Sequence, residues 1–148
     1  VRTEPERVLI NVKNVEASSI TTGMGACFVG GNAGGVASTD GINAVKLSTG
    51  LPAAFIGVAK ADIASNAYGL VIAWGYADSV LLSQETDKTV GIGANGCYLA
   101  PTGTFAGAFT SLALAENLST LAGKFVINLV TTNISSALPY TKGLVRAL

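Results

Sequence analysis

The residues able to do chemistry are few, and they are badly spaced for it. The chain has no histidine. Ser-His-Asp and Cys-His arrangements therefore lack the base of near-neutral pKa that takes the nucleophile's proton. Cys27 and Cys97 are too few and too far apart in sequence to furnish tetrahedral zinc ligation. A disulfide between them would close a long, stabilising loop. Both, however, sit in apolar surroundings, Ala26-Cys27-Phe28-Val29 and Gly96-Cys97-Tyr98-Leu99, where cysteine usually behaves as a small hydrophobe. Glu85 and Asp87 are a weak calcium contact at best, since such a site needs about six or more oxygens. Lys60 and Asp62 lie at the end of an apolar run and read as surface residues. The expectation is no catalysis, no cofactor and no metal.

Two motifs look richer than they are. Gly91-Ile92-Gly93-Ala94-Asn95-Gly96 spells the dinucleotide fingerprint letter for letter. That motif needs a buried strand before it and a helix N-terminus after it to hold a pyrophosphate. Here Asp87-Lys88-Thr89 precedes, and Cys97-Tyr98-Leu99-Ala100-Pro101 follows. With 18 glycines in the chain such a match arises by chance. Asn117-Leu118-Ser119 and Asn133-Ile134-Ser135 are formal glycosylation sequons, meaningful only on a secreted chain. Trp74 and Tyr76 carry more weight. At i and i+2 they share one face of a strand, either as a stacking platform for a sugar ring or, as is commoner for such pairs, as core or subunit contact.

The elements that would carry these residues are strands. Of the 148 residues, 49% are hydrophobic and only 12% charged, about half the usual charged share. The length suits one domain. Glycines crowd the stretch from Gly23 to Gly50 between short apolar runs, and Asp40-Gly41 is a hairpin signal. Strands are expected at Val8–Lys13, Ala53–Ala59 with Gly57 as a bulge, Gly69–Ser83 with Gly75 bending one strand or separating two, Gly96–Ala100, Phe105–Phe109, Phe125–Thr131 and Leu144–Leu148. Leu114, Leu118, Leu121, Ala122 and Phe125 make one helical stripe, giving a short helix over Leu112–Ala122. The fold class is therefore mostly β: a small barrel or sandwich of seven to nine short strands, with an extended N-terminal arm and at most one short helix.

The arm spans residues 1–16, and a single β-rich domain spans 17–148. Six of the eighteen charged residues fall in the arm. Pro5 forbids a regular helix through it and holds Glu4 extended. Arg2, Glu4, Pro5, Glu6, Arg7, Val8 and Ile10, together with Trp74 and Tyr76, are the candidate contact residues for a partner or a second subunit. Nine basic and nine acidic residues cancel, and no basic run exists. Neither nucleic acid nor a membrane is expected as a partner. A surface this poor in charge favours association, so a homo-oligomer, dimer or trimer, is expected. The longest apolar stretch, Ala67–Ala77, is too short for a spanning helix, and no secretory signal is expected.

Phe55-Ile56-Gly57-Val58-Ala59, Asp62-Ile63-Ala64, Ala67-Tyr68-Gly69-Leu70-Val71, Trp74-Gly75-Tyr76 and Val80-Leu81-Leu82 follow one another in a distinctive cadence. With the closing Gly143-Leu144-Val145-Arg146-Ala147-Leu148, they resemble the small cement (decoration) proteins of tailed-phage capsids. The likeness covers residues 50–148 and rests on cadence and small-residue composition. It implies a β-barrel or β-tulip fold and a dimer or trimer that clamps the major capsid protein from outside. It also implies residence on the outer surface of a virion made in host cytoplasm, with no catalytic residues to carry over. The alternatives are a receptor- or carbohydrate-binding module of a phage fibre or spike, and a pilus or surface-layer subunit. An open groove lined by Trp74 and Tyr76 would favour the first of these.

Overall fold

A computed structural model describes residues 6–29, 41–47, 54–83, 98–101, 106–111, 125–129 and 140–148. Nine strands follow in chain order: β1 (Arg7–Asn14), β2 (Gly25–Phe28), β3 (Asn43–Lys46), β4 (Phe55–Ala59), β5 (Tyr68–Leu81), β6 (Tyr98–Pro101), β7 (Phe109–Ser111), β8 (Phe125–Asn128) and β9 (Tyr140–Arg146). The fold is mostly β, and no α-helix occurs among the described residues. The expected helix over Leu112–Ala122 and the Gly91–Gly96 motif both lie outside them.

Five strands close on themselves in the order β1-β3-β2-β4-β5, with β5 pairing back to β1. The β1–β3 pair is parallel and the others antiparallel. Ala26, Ala44 and Ala59 fill the interior with Val12, Ile20, Ile56, Ile63 and Val71, because a five-stranded barrel leaves little room for larger side chains. β5 runs on beyond this barrel. Its second half pairs with β9, followed by β8, β6 and β7. A parallel bridge from Phe109 to Leu82 brings β7 back to the residue that follows β5.

A second core lies between barrel and extension. It holds Cys27, Phe55, Val58, Ile72, Val80, Leu99, Phe109, Val126 and Val145, with the Phe55 and Phe109 rings edge to face at 5.9 Å. β4 is buried at every position, because it is the wall between the two cores and has no face left for water. β9 is covered on one side only, so it alternates strictly between exposed and buried.

The sheet reaches further than the sequence suggested. β9 begins at Tyr140 rather than Leu144, Pro101 ends β6 as its last residue rather than stopping the strand before it, and β7 starts at Phe109, where a strand had been expected to end. The main revision concerns the arm. Residues 7–14, placed within the arm with a strand expected over Val8–Lys13, form barrel strand β1, paired along β5 from Arg7 to Lys13, with Val12 fully buried. Local alternation marks them as a strand, but the partner that makes that strand part of the barrel is non-local.

Candidate interaction surface

Positions opposed across antiparallel strands share a face, so the register itself builds the site. Trp74 on β5 lies between Val8 on β1 and Arg146 on β9. Two residues on, Tyr76 opposes Leu144, Leu144 opposes Ile127 on β8, and Ile127 opposes Tyr98 on β6. Their flanking residues Gly75, Ala77, Gly143, Val145, Val126, Asn128 and Leu99 are all buried, so the row points outward. Trp74 is 43% exposed, Val8 42% and Leu144 38%, while Tyr76, Ile127 and Tyr98 are half-buried. Leu129 and Tyr140 extend the patch. Large apolar groups left open on one sheet face are the ordinary mark of a contact surface.

The N-terminal residues meet this surface. Arg7 Nη2 donates to Asp78 Oδ2 at 2.7 Å, and its guanidinium carbon stands 5.6 Å from the centre of the Tyr76 ring. Glu6 places its carbonyl where a side chain at Gly75 would otherwise be. Arg7 and Val8 are thus brought to Trp74 and Tyr76, as one contact site requires. Ile10 is not: it pairs with Val71 and packs on the barrel interior. Arg2, Glu4 and Pro5 lie outside the described residues. Arg7 also takes up the Tyr76 face that a stacking sugar would need, which speaks against an open two-ring platform.

The other polar groups are structural. Asn14 is fully buried. Its amide donates to the carbonyls of Ser18 and Ile63, both at 2.9 Å, and its Oδ1 accepts from Glu16 N. Asp62 Oδ1 accepts from Thr22 N at 2.7 Å and from the Thr22 hydroxyl at 2.8 Å. These two contacts hold the Asp62 carboxyl below its ordinary pKa, the backbone donor more than the hydroxyl. Together they lash the 15–24 and 60–67 loops where Ile20 and Ile63 bridge. Lys46 is half-buried between Glu16 and Ser18. Cys27 is buried, with its thiol donating to Lys46 O at 3.6 Å. Cys97, Glu85 and Asp87 are outside the described residues. Among those described, no cluster of three metal-ligating side chains occurs, and no helix is long and apolar enough to cross a membrane.

Sequence reasoning singled out Trp74 and Tyr76 and passed over Leu144, Ile127, Tyr98, Leu129 and Tyr140, which the register places on the same face or beside it. The alternation of Tyr140, Lys142, Leu144, Arg146 and Leu148 with small or β-branched residues was the available signal. No protein family, no curated protein and no solved structure matches this chain.

Proposed function

We propose that this chain is a non-catalytic structural protein of a virus particle, a cement protein that binds the outside of a phage head and stabilises the lattice of its major capsid protein. The observation that carries the reading is the exposed aromatic edge where β1 meets β5, with Val8 and Trp74 side by side and Arg7 anchored over Tyr76. Aromatic and arginine side chains are the groups that dominate protein contacts. Glu6 packs its carbonyl against Gly75 at this same edge, which puts a charged residue beside the apolar patch. Also in support are the cadence of residues 50–148 and the low charge; as a homo-oligomer the protein would multiply weak contacts over a repeating lattice.

The test mixes undecorated heads with the protein, sediments them and then heats them. The protein is expected to pellet with its cognate heads and to raise their rupture temperature. If it does neither, the cement reading is wrong. Binding to an immobilised oligosaccharide, abolished by Trp74→Ala, would instead support a receptor-binding module.

A further inference from the structure

We infer that two copies of this chain pair face to face across a two-fold axis that runs parallel to the strands, between β9 and β8. The inference rests on the homo-oligomeric part of the proposed reading and commits it to a dimer.

The outward row that crosses four strands reads Tyr76, Leu144, Ile127, Tyr98. Its chemistry is symmetric about the β9–β8 boundary, with an aliphatic pair at the centre and a tyrosine at each end. An isologous contact requires one patch to be complementary to itself. Rotation about this axis lays Leu144 of one copy on Ile127 of the other, and Tyr76 on Tyr98, each pairing occurring twice. Strand directions stay aligned, the usual arrangement when two sheets pack.

Charge selects this axis over its alternative. The exposed cations of β9, Lys142 and Arg146, lie on the same side of the boundary, one on each flank of the row. A two-fold perpendicular to the strands would place Arg146 of one copy over Lys142 of the other, a like-charge contact at both ends. The strand-parallel axis sets both cations against β8 of the second copy. There the position across from Lys142 is Leu129, which is 37% exposed, and the one across from Arg146 is residue 125. Asp78, on β5, also stays clear of its own symmetry mate.

The test is charge complementation followed by sedimentation equilibrium. Wild-type chain is expected to be a dimer, with a dissociation constant in the micromolar range or tighter. Leu144→Glu alone and Ile127→Lys alone should each be monomeric, weakened roughly 30-fold or more, the range of interface hot spots. Mixed in equal amounts, the two variants should form a heterodimer, because one contact becomes Glu against Lys and the other remains Leu against Ile. Both positions are partly exposed, and thermal melts would verify that each variant folds. Where either does not, Tyr76→Glu with Tyr98→Lys, which meet at the same axis, replaces the pair. A wild-type monomer, a trimer, a dimer that survives Leu144→Glu, or variants that fail to complement would each overturn the inference. Head pelleting is scored on the wild-type chain and the dimer by sedimentation of the free protein, so the two proposals fail separately.

Discussion

Arg7 and Asp78 stand 2.7 Å apart across β1 and β5, and the Arg7 guanidinium lies over Tyr76, between them on β5. One cation thereby fixes both the entry of the chain into the barrel and the pose of an aromatic ring on the interaction surface. Asp78 is 67% exposed, so solvent screens the ion pair. A double-mutant cycle with Arg7→Ala and Asp78→Ala should give a coupling of about 0.2–1 kcal/mol. Raising the salt should shrink it. A coupling well above this range would mean that the pair behaves as a buried one.

The place of β1 in the barrel decides how a truncation reads. Removing residues 1–12 takes away most of the strand that pairs along β5, and with it the fully buried Val12. Burial of a valine side chain alone is worth about 1.5–3 kcal/mol, and the closing ladder is lost as well. That chain is expected to show no cooperative unfolding transition. Removing residues 1–5 leaves β1 whole and should preserve the transition. Only the shorter deletion can therefore test a binding role for the N-terminal charges.

Two glycines are held by backbone geometry. Gly57 has φ +146° and Gly75 φ +100°, and a Cβ would run into the Ile72 carbonyl at the first and the Glu6 carbonyl at the second. Gly57 sits at the bulge where β2 slips register against β4, so that Phe55 and Val58 enter one core and Ile56 and Ala59 the other. Gly75 lies where β5 passes from the barrel to β9. Alanine at either position should destabilise by on the order of 1–3 kcal/mol from strain alone, measured by urea unfolding. Gly41 also has positive φ but nothing within 4 Å of a Cβ, so Gly41→Ala should cost clearly less than either.

Asp62 gives a pH signature. Its carboxyl is held below the ordinary value of 3.8 by the Thr22 amide and hydroxyl. A folded pKa below the unfolded one means that the unfolded chain binds more protons as pH falls. The stabilisation is therefore present above the unfolded pKa and lost as pH drops through the folded one. Between about pH 5 and pH 2 the melting temperature of wild type should fall more steeply than that of Asp62→Asn, which keeps an acceptor oxygen without the titration. Parallel curves would show that the Thr22 contacts do not couple to protonation.

How much of this could be read beforehand depended on the range of the interactions involved. Strand period and glycine punctuation are local, and they located β1, β4, β5 and β8 and the Gly57 bulge. Barrel closure depends on Arg7–Lys13 finding Tyr68–Gly75, a pairing with no local trace, so the strand at Val8–Lys13 was legible while its place in the barrel was not. Trp74 and Tyr76 stood out by type. Leu144 and Ile127 did not, because an aliphatic residue declares itself exposed only once its strand neighbours are known to be covered. Asp62 read as a surface residue, and Asn14 drew no attention, because the amide and carbonyls they hold come from loops outside their own segments.

Trp74 separates stability from function. It is the single tryptophan of the chain and is 43% exposed, while Phe109 is buried against Phe55 in the second core. Phe109→Ala removes a core ring and should cost about 3–5 kcal/mol. Trp74→Ala opens no core cavity, and surface changes of that kind stay within about 0.5 kcal/mol. Its native fluorescence should be quenched by acrylamide, as an exposed indole requires. If the β1–β5 edge is the head-binding site, Trp74→Ala should fold and melt like wild type yet pellet with heads at least ~30-fold more weakly, as expected for an aromatic anchor. Pelleting equal to wild type would remove Trp74 from the head contact and move that contact to another face. A large fall in melting temperature would show instead that Trp74 is held by the fold, and its role would be structural.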